Sequence, residues 1–207
     1  MNDAASFAAA ASADWVGLVF YPASPRAVTP SHAATIVASQ PGGPARVGLF
    51  VEPADEEIEA ALAAVSLEIL QVYAAPERVS ALRERFGLPV WRGVGVETAS
   101  DLPQDDRADG FVLDAKPPPN ADLPGGNAVC FDWSLLRSWR APRPWLLAGG
   151  LTVDNVGEAI TVSGAQAVDV SSGVESRRGV KDPALIADFI AAVRRADQGG
   201  RMLLRAG

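Results

Sequence analysis

The chain has 207 residues, long enough for one substantial core and short for two full domains. Apolar residues make up 48% and charged residues 21%, which excludes a disordered chain, and no apolar run approaches the roughly 18 residues of a membrane span. Net charge is −7 with no basic stripe, which argues against a nucleic-acid partner, and a start without a basic region ahead of its apolar stretch fits a cytoplasmic setting better than a secretory signal.

Apolar, β-branched runs alternate with helical patterns along the whole chain. An Ala-rich helix is predicted over Asp3–Ser12, followed by a strand at Trp15–Phe20. A helix over Pro30–Ser39 has Thr29 as its cap and proline at its first position. Then come a strand at Arg46–Val51 and a helix over Ala54–Val65 with Asp55, Glu56 and Glu57 in its first turn, which suits the helix dipole. A strand at Glu68–Val72 precedes a helix over Pro76–Phe86 that stops before Gly87. Strands follow at Val90–Val94, Gly110–Leu113 and Trp145–Ala148. The last units are a helix over Val153–Ser163 behind Thr152, a strand at Ala167–Val170, and a helix over Pro183–Ala196 behind Asp182.

Such alternation implies a parallel sheet with helices as crossovers. An open doubly wound sheet and an eightfold barrel both satisfy it. The open sheet calls for a glycine-rich phosphate loop, and Gly93-Val94-Gly95 lacks the third glycine that would open a helix. Lys116–Val129 is rich in proline and glycine and reads as a long loop. Residues 1–196 are expected to form one domain, and residues 197–207 a polar, frayed tail.

The one cysteine, Cys130, rules out an internal disulfide, and with a single histidine, His32, no Cys/His metal site is expected. His32 falls in the first turn of a predicted helix and reads as a helix-surface residue. Four segments at carboxyl ends of predicted strands carry candidate chemistry. Phe20-Tyr21-Pro22-Ala23-Ser24-Pro25-Arg26 is stiffened by two prolines, and Arg26 can clamp a carboxylate with two parallel bonds or be a surface arginine paired to some Asp or Glu. Asp114 follows the apolar run Phe111-Val112-Leu113 and can act as a general acid, a general base or a cap. Gly149 and Gly150 lie between a strand and a helix, where backbone N–H groups can face an anion. Ser171-Ser172-Gly173 follows the last predicted strand. Each of these two turns alone is compatible with an ordinary loop. As a pair after the last two strands they match the phosphate site that many barrels build.

Together these residues resemble the phosphoribosylanthranilate isomerase family of tryptophan biosynthesis. The resemblance spans Asn2 to about Ala196. It rests on Trp15-Val16-Gly17-Leu18-Val19-Phe20, Ser24-Pro25-Arg26, Val47-Gly48-Leu49-Phe50-Val51, Phe131-Asp132-Trp133, Ala148-Gly149-Gly150-Leu151, Asn155-Val156, Asp169-Val170-Ser171-Ser172-Gly173-Val174-Glu175 and Gly179-Val180-Lys181-Asp182. It implies a (β/α)8 barrel and an Amadori rearrangement of a phosphoribosyl substrate, with no metal or organic cofactor, in a monomer or homodimer. It also implies Asp114 as general acid, Arg26 on the anthranilate carboxylate, and Gly149, Gly150, Ser171, Ser172 and Gly173 as the phosphate cradle.

The chain departs from the family pattern in three places. The family opens with a strand ending in Lys-Ile-Cys-Gly, whose cysteine is the general base; no such segment occurs here. Seven strands are therefore expected, with the first one missing and two barrel edges unpaired. An initiator upstream of Met1 would supply the segment, and loss of the base in a non-catalytic phosphosugar binder is the alternative. The family's Gln-Leu-His-Gly reads Gln71-Val72-Tyr73-Ala74, and its Gly-Gly-Thr-Gly reads Gly125-Gly126-Asn127-Ala128. Cys130 is expected to be a buried or loop thiol and not a substitute base. The pair Asp114 and Asp169 also leaves room for the histidine-pathway aminoaldose isomerase, whose flanking motifs fit less well.

Overall fold

The computed structural model describes residues 1–105, 107–117, 129–197 and 203–206. The chain opens with helix α1 (Ala4–Ala9). Strand–helix units follow as β1 (Trp15–Val19) with α2 (Pro30–Ala38), β2 (Ala45–Val51) with α3 (Asp55–Ala64), and β3 (Ile69–Tyr73) with α4 (Pro76–Phe86). Strands β4 (Val90–Val96) and β5 (Gly110–Ala115) are followed by short 3-10 turns at Ala99–Asp101 and Trp133–Leu136. Then come β6 (Trp145–Leu147), α5 (Val156–Ser163) and β7 (Ala167–Val170). A hairpin of β8 (Glu175–Arg177) and β9 (Val180–Lys181) leads into α6 (Pro183–Ala196), and β10 (Leu203–Ala206) ends the described chain. Each of the seven expected strands is present within two residues of its expected ends.

Among the described residues, eight parallel strands close a barrel in the order β1-β10-β7-β6-β5-β4-β3-β2. The eighth differs from expectation. Leu203–Ala206, read as part of a polar tail, pairs with β7 from Leu203↔Ala167 to Ala206↔Val170 and with β1 at Trp15↔Arg205 and Val16↔Ala206. The two edges expected to be open are thus paired over these residues. Beyond Val16 on β1, the Met1 amino group donates to the Gly17 carbonyl, and Met1 is buried. The physical reason is the edge itself: two rows of unpaired backbone groups accept any extended segment that can reach them. Helix α6 packs against α5 and α1 and so delivers the tail to that gap.

Two apolar layers hold the barrel. Trp15 from β1, Val47, Ile69, Trp91, Val112 and Leu146 from β2 to β6, and Ala167 from β7 form a cluster of their own. It is the plug inside the barrel, with Trp15 and Trp91 meeting edge to face at 5.2 Å. The larger cluster, which includes Phe7, Leu18, Phe50, Phe111 and Phe189, lies between strands and helices. Side chains alternate along a strand, so one step above the plug the inward positions are Gln71, Gly93, Asp114 and Asp169. The interior therefore turns from apolar to polar and open toward the carboxyl ends of the strands. No described helix is long and apolar enough to cross a membrane.

Candidate active site

Asp114, the fifth residue of β5, is 7% exposed and stands beside Gly95 of β4. Its Oδ1 accepts the Ala115 N–H at 2.8 Å. Gly149 presses against it: a Cβ there would sit 2.7 Å from Asp114 Oδ1 and 2.6 Å from Ala115 N, and its φ is +87°. Glycine is therefore required at 149 on two counts, the left-handed backbone and the close approach. Gly150, at φ +62°, faces Cys130 in the same way, with 2.5 Å from a would-be Cβ to Sγ.

The loop after β6 is tied by Asn155. Its Oδ1 accepts Thr152 N–H at 2.8 Å and its Nδ2 donates to the Gly150 carbonyl at 2.9 Å. These bonds hold residues 150–155 as a turn, so α5 starts at Val156 and not behind Thr152 as expected. Cys130 is an exposed loop thiol whose Sγ donates to the Gly150 carbonyl at 3.4 Å. Partial burial, and then the charge of Asp114, push its thiol above the ordinary value, which is the wrong direction for a thiolate base. No local pattern around Cys130 signals its place beside the glycine turn.

Ser171 precedes a 3-10 turn over Ser172–Val174. A Cβ on Gly173 would lie 1.8 Å from the Leu151 carbonyl oxygen, so this turn lies flush against the loop that carries Gly149 and Gly150. The two turns singled out in the sequence form one continuous surface, and Asp114 borders it.

Arg26 is 6% exposed. Its Nε donates to Glu175 Oε1 at 2.6 Å and its Nη2 to Oε2 at 3.1 Å. Arg26 is thus paired to an acid, as its plainer alternative has it, but both side chains are buried and not on the surface. Lys181 Nζ, 3.2 Å from Glu175 Oε1, donates to the Ser171 carbonyl at 2.8 Å and to Ser171 Oγ at 3.2 Å. Burial works to raise the Glu175 carboxyl, but bonds from Arg26 and Gly179 and the charge of Lys181 hold it below the usual range. Burial outweighs the pull of Glu175 at Lys181 and pushes it down to about 8. Asp169, on β7, is 8% exposed and adds to the field at Lys181. Reading residues one by one missed Glu175 and Lys181 as parts of the site, although both stand in quoted motifs.

The remaining candidates lie elsewhere. His32 is exposed on α2, with Nε2 at 3.0 Å from the Asn2 carbonyl. Tyr73 lies over Gly93, where a Cβ would meet its ring at 2.5 Å. Asn127 and Ala128 lie outside the described residues, as does most of the loop expected over Lys116–Val129.

A family model described as N-(5'phosphoribosyl)anthranilate (PRA) isomerase matches residues 2–192. The N-(5'-phosphoribosyl)anthranilate isomerase of Acidiphilium cryptum is 56% identical over 187 residues, covering 90% of each chain. That of Granulibacter bethesdensis is 53% identical over 200 residues, 95% of this chain and 96% of the relative. Among solved structures, monomers generated from the dimeric isomerase of Thermotoga maritima match with a TM-score of 0.76 at 34% identity, over 94% of this chain and 95% of that one. An isomerase bound to reduced 1-(o-carboxyphenylamino)-1-deoxyribulose 5-phosphate matches with a TM-score of 0.76 at 33% identity, with the same coverage. The chain belongs to the N-(5'-phosphoribosyl)anthranilate isomerase family.

Proposed function

We propose that this protein isomerises N-(5'-phosphoribosyl)anthranilate to 1-(2-carboxyphenylamino)-1-deoxyribulose 5-phosphate in the cytoplasm, as a step of tryptophan biosynthesis and as a monomer or homodimer. The observation that carries the reading is the contact of Asp114 with Gly149 beside the joined turns. A proton donor there borders a surface of backbone amides and serine hydroxyls suited to a phosphate.

Asp114 gives its proton to the ring oxygen as the C1–O bond breaks, leaving an open chain with a C1=N iminium. Loss of the C2 proton to a base then gives the enolamine, and protonation at C1 with loss of the C2 hydroxyl proton gives the ketose. Substrate and product are isomers, so no oxidant or reductant enters. Arg26 holds the carboxylate of the aryl ring. The backbone of Gly149 and Gly150 and the turn at Ser171, Ser172 and Gly173 hold the phosphate. The proton at C2 needs a separate acceptor, because a carboxylate that has just served as acid lies at the ring oxygen.

Asp114→Asn tests this assignment. Its kcat is expected to fall about 10²–10⁴-fold, the usual worth of a positioned proton donor, while inorganic phosphate still binds. Unchanged turnover would remove Asp114 from the mechanism. Loss of phosphate binding together with turnover would assign it to the cradle instead.

A further inference from the structure

The motif Gly179-Val180-Lys181-Asp182 and the residue Glu175 have no role in the chemistry above, yet they make a heavily bonded polar cluster on the rim. We propose that Glu175 and Lys181 are positioning residues: one buried network fixes Arg26 and the Ser171 turn at a set spacing, and so selects ligands with a carboxylate at one end and a phosphate at the other. The proposal rests on the reading that Arg26 and the Ser171 turn receive those two groups.

Both oxygens of Glu175 are doubly engaged. Oε1 takes Arg26 Nε at 2.6 Å and lies 3.2 Å from Lys181 Nζ, and Oε2 takes Arg26 Nη2 at 3.1 Å and Gly179 N–H at 3.0 Å. Glu175 thus occupies the Nε–Nη2 edge and turns the Nη1 side of the guanidinium away from itself. Lys181 has three protons, and its three near partners are Glu175 Oε1, Ser171 O and Ser171 Oγ. Its side chain is 2% exposed and that of Glu175 is 4% exposed. Burying such charges costs more than packing apolar groups of equal size, so stability alone does not account for them. What they supply is direction: a fixed guanidinium plane on Arg26 and a fixed carbonyl and hydroxyl at Ser171.

The backbone supports the same link. Glu175 and Lys181 face each other in the β8–β9 hairpin. Its turn residue Gly179, at φ +81°, lies so close to the Pro25 carbonyl that a Cβ would come within 2.7 Å. Asn2 Nδ2 donates to the Gly179 carbonyl at 2.8 Å. The hairpin is therefore wedged between the loop carrying Arg26 and the turn carrying Ser171. Arg26 and Lys181 flank the single charge of Glu175, with Asp169 acting from β7, so neutralising Glu175 leaves two buried cations facing each other.

The test is a double-mutant cycle on the full chain with N-(5'-phosphoribosyl)anthranilate as substrate. Arg26→Ala is expected to raise KM. Glu175→Gln is expected to raise KM about tenfold to a hundredfold with kcat changed less than threefold, as misplacement of a binding group does. In the Arg26→Ala background, Glu175→Gln should then change KM less than twofold, which a merely structural role would not produce. Lys181→Met is expected to weaken inorganic phosphate binding at least fivefold. If Arg26→Ala leaves KM unchanged, the assignment of Arg26 fails. If Arg26→Ala raises KM and Glu175→Gln does not, or if the two effects add in full, the positioning proposal is overturned. Should Glu175→Gln not fold, Glu175→Asp carries the same cycle: it keeps the charge and draws it back one methylene, and an unchanged KM overturns the proposal.

Discussion

The wall of the barrel from β1 to β6 and the seam between β7 and β1 are built by different means. Along the wall, neighbours in sequence are neighbours in space. The β4–β5 ladder runs from Trp91↔Gly110 to Val96↔Ala115, and β1–β2 from Trp15↔Ala45 to Val19↔Leu49. At the seam, among the described residues, β10 meets β1 at Trp15 and Val16, and the Met1 amino group serves Gly17. Above that point the closure passes to side chains far apart in sequence, Arg26 with Glu175 and Asn2 with Gly179. The wall needs only backbone pairing and a plug of apolar side chains. The seam concentrates buried charge, and the proposed carboxylate clamp at Arg26 and phosphate turn at Ser171 both border it.

The largest test changes the seam itself. A Lys-Ile-Cys-Gly strand joined ahead of Met1 would compete with β10 for one slot, because a strand in that slot pairs with β7 and β1 alike. We expect it to displace the tail, raise the melting temperature and raise kcat by about 10²–10⁴-fold, the worth of a general base at C2. The same strand with serine in place of cysteine separates closure from chemistry. It should keep the gain in melting temperature and lose the gain in kcat. Equal kcat for the two would show that the thiol contributes nothing.

A pair of glycine substitutions contrasts seam and wall at single positions. Gly173→Ala brings a methyl group 1.8 Å from the Leu151 carbonyl, a backbone atom that yields only if the loop moves. We expect a loss near the upper end of overpacking costs, about 3 kcal/mol, with weakened phosphate binding. Gly93→Ala meets the ring of Tyr73 at 2.5 Å, a half-buried side chain and not a backbone atom. About 1 kcal/mol is expected there, most of it recovered in the Gly93→Ala, Tyr73→Ala double variant relative to Tyr73→Ala. Chemical denaturation of the five proteins reads both effects. Full additivity at 93 and 73 would show that the ring does not fill the glycine's space.

The same contrast explains what could be read from residues alone. The seven strands β1 to β7 were legible because β-branched runs bounded by glycine and proline report local structure, and the caps at Thr29 and Asp182 mark helices the same way. Asp114 and the two turns were legible as positions, since each ends a strand. Their mutual contacts were not: nothing in one segment says that Gly173 rests on Leu151. Glu175 and Lys181 carried no local signal, because their meaning lies in Arg26, 149 residues from Glu175 in the chain. The pairing of Leu203–Ala206 escaped notice for a related reason. Met202-Leu203-Leu204 is too short an apolar run to mark a strand, and the edge that receives Leu203–Ala206 determines its form.

The smallest expected effect is a difference in how seam and wall respond to pH. Lys181 faces Glu175 from β8, Arg26 from the loop after β1 and Asp169 from β7, and burial brings it from 10.5 down to about 8. Between these values the unfolded chain holds a proton that the folded chain has released. The contribution of this group to stability therefore rises with pH from about 8 to 10.5. Glu175, held below the usual carboxylate range, stays ionised throughout that window and adds no slope. Lys181→Met should flatten the curve there. Arg83→Met, which removes the wall's partly exposed pair with Asp109, should leave the slope as it was. Urea unfolding of the three proteins at pH 8 and pH 10 measures it. Parallel curves for Lys181→Met and the parent would mean that Lys181 titrates alike in both states, and that the seam is as open to water as the wall.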